Sequence, residues 1–429
     1  MRQGSPTLSP LPDASPSGAR ALLVGLEWSK SSGWAVDESL EELARLVESA
    51  GMEVAGAVVQ RRQRPDPATF IGRGKAQKLA EERALLGYDT VVFDDDLSPA
   101  QERNLERVLG ARVTDRSGLI LDIFARRART REAMLQVELA QLEYLLPRLT
   151  RAWGHLERQR GATRGRGGPG EQQLELDRRQ VKERIAQVRR ELEQVRSHRG
   201  RLRAARRDGP PIVALVGYTN AGKSTLMSRL TGADVVAQDL LFATLDPTAR
   251  RLSLPSGGAA ILTDTVGFIQ KLPPQLVAAF RATLEELEEA DLLLHVVDTA
   301  HPRAADQAAA VRAVLADLGL DHKPVLLVLN KCDLLPGPPP ALPSGAVAVS
   351  ALSGAGLDAL KERIAVALAE QAVAVEVRLP YAATALVALF RREGLLIEER
   401  YTSQGVLLRG RLPPRLIPRF ASAGHLRRH

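Results

Sequence analysis

Nine consecutive residues, Gly217-Tyr218-Thr219-Asn220-Ala221-Gly222-Lys223-Ser224-Thr225, hold the densest chemistry in the chain. They follow the apolar run 212-IVALV, precede a helical stretch and fit the spacing G-x-x-x-x-G-K-[ST]. Glycines at both ends let backbone amides close around a β-phosphate at a helix N-terminus. Lys223 can then reach the β- and γ-phosphates, and the Ser224 hydroxyl can ligate Mg²⁺. The alternative is a Gly-rich turn without a ligand, and the strand–loop–helix order argues against it.

Further along, the apolar run 260-AILT ends in Asp264-Thr265-Val266-Gly267. Asp264 is expected to hold Mg²⁺ through water, and the Gly267 amide to sense a γ-phosphate. Next, 325-VLLVL ends in Asn330-Lys331-Cys332-Asp333. A carboxylate at Asp333 can accept from guanine N1–H and the exocyclic amine, whereas adenine would leave it unpaired at a cost. The Lys331 stem can cover the base. Ser350, Ala351 and Leu352 are expected to complete the base pocket, with a backbone amide meeting guanine O6. Between the first two motifs lies 241-LFATLDPTAR, which contributes Phe242, Ala243 and Thr244. Thr244 is the chosen threonine to close on Mg²⁺ and the γ-phosphate, with Thr248 its rival. Lys223, Thr244 and Gly267 are thus the expected catalytic set.

Two positions bear on rate and ions. Phe268 follows Gly267 where a water-orienting glutamine could have stood, so intrinsic hydrolysis should be slow or depend on another group. The Asn220 carboxamide either coordinates K⁺ beside the phosphates or forms a loop-stabilising Asx turn. A separate cluster, Gly72-Arg73-Gly74-Lys75, lacks phosphate-loop spacing.

The elements that must position these residues follow from periodicity. From 19 to 125 the apolar runs 21-ALLVGLEW, 53-EVAGAVVQ and 90-TVVFDD read as buried strands. They alternate with helical patterns at 38-ESLEELARLVESAG and 75-KAQKLAEERALLG, which predicts an α/β domain with a largely parallel sheet. From 126 to 208, Leu135, Leu139, Leu142 and Leu146, then Leu174, Val181, Ile185, Val188, Leu192 and Val195, recur at near-heptad spacing. This predicts an antiparallel helical hairpin whose second helix is roughly 55 Å long. Its loop, 151–170, joins Trp153, able to stack on a base, to Arg158, Arg160, Arg164 and Arg166, able to meet phosphates. From 209 to 371, five apolar strands separated by helices predict a doubly wound, mostly parallel sheet. Residues 372–429 read as a small α+β domain, and 1–18, rich in Ser, Pro and Gly, as a disordered tail without signal-peptide pattern.

The 429 residues carry a net charge of +8, and between Arg126 and Arg207 basic residues outnumber acidic ones about two to one. Such a stretch suits a polyanion, most obviously nucleic acid, although a solvated helical face is the commoner reason for such charge; DNA is not expected as a partner. Cys332 is the single cysteine, which excludes an internal disulfide and points to a reducing compartment. No apolar run approaches the ~20 residues of a membrane span. The seven histidines lack metal-ligand spacing. A cytoplasmic monomer, free or loosely membrane-associated, is expected.

The segments 97-LSPAQERNLERVLG, 115-DRSGLILDIFARRARTRE, 135-LQVELAQLEYLLPRL, 168-GPGEQQLELDRR, 216-VGYTNAGKSTL and 241-LFATLDPT together resemble the HflX family of ribosome-associated GTPases. The resemblance covers nearly the whole chain after Ala19. It implies an N-terminal domain that binds the large ribosomal subunit and a GTP-bound form that splits stalled or idle ribosomes, particularly under stress. At 157-ERQRGATRGRGGPG this chain has extra arginines where the family commonly has a serine and paired glycines. Two other readings compete: a GTPase maturing ribosomal subunits, and an RNA-binding module regulated by GTP.

Overall fold

The computed structural model describes residues 18–28, 35–149, 169–206, 209–232, 241–242, 244–245, 248–255, 258–271, 287–337 and 343–428. Trp153, Arg158, Arg160, Arg164, Arg166 and Ala243 lie outside the described residues. The chain divides into two compact units. The first is Met1–Val195 with Gln238–Asp246 and Ile269–Ala282; the second is Arg196–Ala237, Pro247–Phe268 and Thr283–His429.

The first unit opens with an all-parallel sheet of β1 (Arg20–Glu27), β2 (Glu53–Arg61), β3 (Thr90–Phe93) and β4 (Arg112–Asp115), in order β2-β1-β3-β4. Crossovers α1 (Val36–Ser49), α2 (Arg73–Glu81), α3 (Arg83–Leu86) and α4 (Pro99–Leu109) connect them. The run at 53 is not a buried strand: β2 is an edge and stays half-exposed. The helix expected from 75 breaks in two at Glu82, and Gly87 (φ +65°) ends the second part. A capping box at Ser98 and Gln101, with Pro99 in the first turn, starts α4.

Helix α5 (Arg116–Arg127) leads into α6 (Arg131–Leu145). Asp115 is their common anchor. One of its oxygens accepts from the Gly118 amide and the Tyr144 hydroxyl, both at 2.8 Å, and the other from Arg148 at 2.9 Å. A side chain at Gly118 would press into Thr114 and the Tyr144 hydroxyl at 2.6 and 2.8 Å, so glycine is required there. Helix α7 (Pro169–Arg206) is one 38-residue rod. It meets α6 through Leu135, Val188 and Leu192, flanked by Leu139, Leu142 and Val195, and through the Arg184–Glu138 pair at 2.6 Å.

Two stretches from within the third region group with this unit. The Leu241 carbonyl accepts from Arg127 at 2.5 Å, its amide donates to Ser49 at 3.0 Å, and Phe242 (φ +58°) packs edge-on against Phe124 at 4.6 Å. Lys271 donates to Asp94 and Asp95, each at 2.6 Å, while the buried Arg116 binds the other Asp94 oxygen at 2.6 Å. Arg116 and Lys271 beside it hold Asp94 below the usual carboxylate range against the opposing effect of its burial.

The second unit contains the larger sheet, β5 (Ile212–Gly217), β6 (Thr248–Ser253), β7 (Ala259–Asp264), β8 (Leu292–Asp298), β9 (Val325–Asn330) and β10 (Val347–Ala348), in order β10-β9-β8-β5-β7-β6. All pairs are parallel except β6·β7. Helices α8 (Lys223–Thr231), α9 (Ala304–Asp317) and α10 (Leu357–Glu370) cross between strands. The core between sheet and helices joins Val213, Leu215, Leu226, Leu262, Leu294, Val328 and Ile364. Then follow β11 (Val373–Leu379), α11 (Thr384–Glu393), β12 (Leu395–Thr402), β13 (Gly405–Leu412), α12 (Ile417–Ala423) and β14 (His425–Arg428), whose strands form an antiparallel sheet in order β12-β13-β11-β14.

Candidate nucleotide-binding site

The phosphate loop sits between β5 and α8, at the C-terminal end of a central strand where open α/β sheets bind ligands. Its glycines are dictated by close approaches. A Cβ on Gly217 (φ +158°) would lie 2.3 Å from the Val296 carbonyl, and one on Gly222 (φ +90°) 2.3 Å from the Asn330 amide nitrogen. Asn220 takes a left-handed φ of +60°, a conformation asparagine tolerates better than most residues.

Lys223 is buried and donates to the carbonyls of Gly217 at 3.1 Å and Tyr218 at 2.8 Å. Burial pushes its ammonium down to about 8, opposed by the charge of Asp264. Lys223 thus curls over its own loop, at the place where phosphate oxygens would take over those two bonds. The Ser224 hydroxyl donates to Asp264 at 2.7 Å. A hydroxyl and a carboxylate held edge to edge suit Mg²⁺, which prefers few protein ligands and fills its octahedron with water and phosphate oxygens. Among the described residues no cluster of three or more His, Cys, Asp or Glu could hold a metal by itself.

Gly267 leaves no room for a side chain: a Cβ would meet the Lys223 ammonium and the Thr219 backbone at 2.9 Å. Phe268 is clamped to the loop, its carbonyl accepting from the Thr219 amide at 2.7 Å and its amide donating to the Gly217 carbonyl at 3.1 Å. Thr265 turns inward and donates to the Leu215 carbonyl at 2.7 Å. It therefore holds the strand end. Thr248 is fixed in β6 opposite Asp264, with its hydroxyl on the Met227 sulfur at 3.5 Å. Thr244 is half-buried and described with the first unit, as is Phe242.

On the base side, Asn330 is a brace. Its amide donates to the Ala221 carbonyl and its carbonyl accepts from the Ala351 amide, both at 2.9 Å. One side chain therefore ties the phosphate loop to the 350–352 turn. Lys331 (φ +64°) extends to Asp298 at 2.7 Å, and Thr299 donates to the Asn330 carbonyl at 2.6 Å. Asp298 and Thr299 were not singled out from sequence; they become visible only when β8 and β9 lie side by side. Asp333 is exposed and its carboxylate makes no hydrogen bond among the described residues, so it is open to a ligand. Cys332 donates its amide to Val349, and Ser350 is buried with its hydroxyl accepting from Ser353 at 3.0 Å. Leu352 is 68% exposed. The arrangement can grip a triphosphate at one end, a divalent ion beside it and a base with paired donors at the other.

The chain matches three families in succession. Residues 37–125 match the GTP-binding GTPase N-terminal family, 127–206 the GTP-binding GTPase middle region, and 212–331 the family described as 50S ribosome-binding GTPase. It is 48% identical over 370 residues to GTPase HflX of Escherichia coli K12, covering 85% of this chain and 86% of that protein. GTPase HflX of Caldanaerobacter subterraneus is 46% identical over 391 residues, covering 90% and 89%. The chain belongs to the HflX family of GTPases. Membership makes it a protein that binds and hydrolyses GTP, with the phosphate loop described above as its P-loop. Among solved structures, a GTP-binding protein of Sulfolobus solfataricus with GDP is 26% identical, covers 81% of this chain and 98% of that one, and superposes with a TM-score of 0.45. No helix among the described residues is long and apolar enough to cross a membrane.

Proposed function

We propose that this HflX-family GTPase uses GTP as a switch on the large ribosomal subunit, binding it in the GTP form and separating stalled or idle ribosomes, chiefly under stress. The observation that carries the reading is that family matches cover the N-terminal domain, the helical arm and the G domain in succession, and that HflX proteins align with 85–90% of the chain. The family matched by 212–331 is itself named for 50S binding. The basic 126–207 segment gives a polyanion a place to bind.

In this reading Gly217–Thr225 would cradle the phosphates, Ser224 would hold Mg²⁺ directly and Asp264 through water, and Asp333 would read guanine with Lys331 and the Ser350–Leu352 turn around the base. When bound there, Mg²⁺ would supply charge neutralisation at the phosphates. Lys223, already stripped of much of its hydration, exchanges two backbone carbonyls for phosphate oxygens. Thr244 and Gly267 report the γ-phosphate. Phe268 offers no group to polarise water, so the full rate depends on the ribosome. K⁺ at Asn220 is a second cation in the proposal. The cell interior is the setting.

The test mixes 70S ribosomes with the protein and GTP, GDP or a non-hydrolysable GTP analogue, and follows light scattering. Loss of scattering with the triphosphates and not with GDP is expected. Equal scattering in all three, with precursor subunits bound in preference to 70S ribosomes, would favour subunit maturation instead.

A further inference from the structure

Residues 372–429 lie beyond all three matched families. They run β11–α11–β12–β13–α12–β14, a βαββαβ domain with sheet order β12-β13-β11-β14. Both helices cover one face, where Val375, Val377, Val406 and Leu408 meet Phe390 and Phe420, the two rings packed edge-on at 5.6 Å. Side chains alternate along a strand, so the intervening residues point to the opposite face. That face carries Arg378 on β11, Arg409 and Arg411 on β13, Arg427 on β14 and Arg400 on β12, all exposed. Against these five stand Glu376, flanked by Arg409 and Arg427, and Glu398, paired with Arg400 at 2.5 Å. Leu395 on the same face is 63% exposed.

This charge is not a background bias. Residues 372–429 hold ten arginines, no lysine and four glutamates, and residues 126–207 hold 22 basic against 10 acidic residues. The rest of the chain holds 27 basic against 37 acidic residues, so positive charge is concentrated in two places. One is the arm and its loop; the other is this domain.

We infer that the open sheet face of the C-terminal domain docks single-stranded or loop RNA, with Arg378, Arg409, Arg411 and Arg427 as its phosphate and base contacts. A four-stranded βαββαβ sheet with helices behind is a scaffold on which unpaired bases lie flat against the strands. Arginine suits it because the planar guanidinium both forks onto phosphate and stacks on a base. Arg409 and Arg411 stand two residues apart on one strand, about 7 Å, and neighbouring strands about 5 Å apart, which gives a grid and not a point charge.

The inference does not require the ribosomal reading, because free RNA is the probe. The full chain and the variant Arg378→Ala/Arg409→Ala/Arg411→Ala/Arg427→Ala are titrated onto fluorescein-labelled single-stranded RNA of about 12 nucleotides across a salt series. The variant should bind at least tenfold more weakly at low salt, with a salt slope shallower by about three, since each lost single-strand phosphate contact removes about 0.7. The pair Arg392→Ala/Arg419→Ala, which removes charge from helices α11 and α12, should leave both unchanged. Affinity for a fluorescent GTP analogue should hold in all forms and reports that they are folded. Irradiation of the unaltered chain with 4-thiouridine RNA should place adducts in peptides of β11, β13 and β14. Parent-like binding by the quadruple variant, an equal loss in the control pair, or adducts confined to other regions would overturn the inference. So would a variant that loses binding to an acidic peptide and keeps RNA, which would make the partner a protein.

Discussion

Lys223 is the residue whose removal separates stability from function. Burial lowers its ammonium from 10.5 to about 8. Holding the charge at neutral pH therefore costs about 3 kcal/mol of stability. Its two acceptors would not be stranded without it: the Gly217 carbonyl also accepts from the Phe268 amide at 3.1 Å, and the Tyr218 carbonyl from the Ala221 amide at 3.3 Å. Lys223→Met keeps the stem and removes the charge. After about 1 kcal/mol for the lost hydrogen bonds, the variant should be more stable by about 2 kcal/mol. The sign with pH follows from the lowered value. Between about 8 and 10.5 the unfolded chain holds a proton that the folded one has released. Parent stability should thus rise with pH across that window, and the Met variant should not share the rise. The assay is hydrogen exchange in urea on peptides from β5 and α8, which isolates this sheet from the other domains. GTP binding should fall at least a hundredfold in the same variant. A Met variant no more stable than the parent at pH 7, with an unchanged pH slope, would refute the argument that this lysine is held ready at a cost.

Further outcomes follow from neighbouring residues. Asp333→Asn should weaken GTP binding and shift preference to xanthine nucleotides, whose extra carbonyl needs a donor; competition binding with the two triphosphates checks it. K⁺ should raise GTP hydrolysis above its rate in Na⁺ at equal ionic strength, and Asn220→Ala should erase the difference. His295 is buried in β8, its Nε2 without a hydrogen-bond partner among the described residues, and burial lowers it to about 4 with help from Arg312 and Lys223. As pH falls from 6.5 towards 4 the unfolded chain takes up the proton first, so about 3 kcal/mol of stability should be lost across that window. His295→Asn should flatten the loss in denaturant melts at successive pH values.

The nucleotide site was legible because its chemistry forces local sequence. The close approach of Val296 and Asn330, with positive φ at both positions, demands glycine at Gly217 and Gly222, and the order of three motifs along one chain is hard to reach otherwise. What escaped depends on partners far away in sequence. Strand β6 reads 248-TARRLS, with one buried residue, Leu252, because an antiparallel edge needs only one anchored face. The run 53-EVAGAVVQ looks like a buried strand, yet its β1 pairing covers one side only. Asn330 was read as a base-side residue. Its brace between Ala221 and Ala351 spans separations of 109 and 21 residues, which no local pattern encodes. Helix α12 and strand β14, seven and four residues long, are too short for periodicity to register.

The central claim is that the GTPase of this chain is a switch thrown by the large ribosomal subunit. Single-turnover GTP hydrolysis, with and without purified large subunits, tests it most directly. With Phe268 where a water-orienting residue could stand, the protein by itself should turn over on the order of 10⁻² s⁻¹ or slower. Large subunits should accelerate it at least tenfold, and small subunits should not. Hydrolysis that is rapid without ribosomes, or unchanged when large subunits are added, would contradict the account.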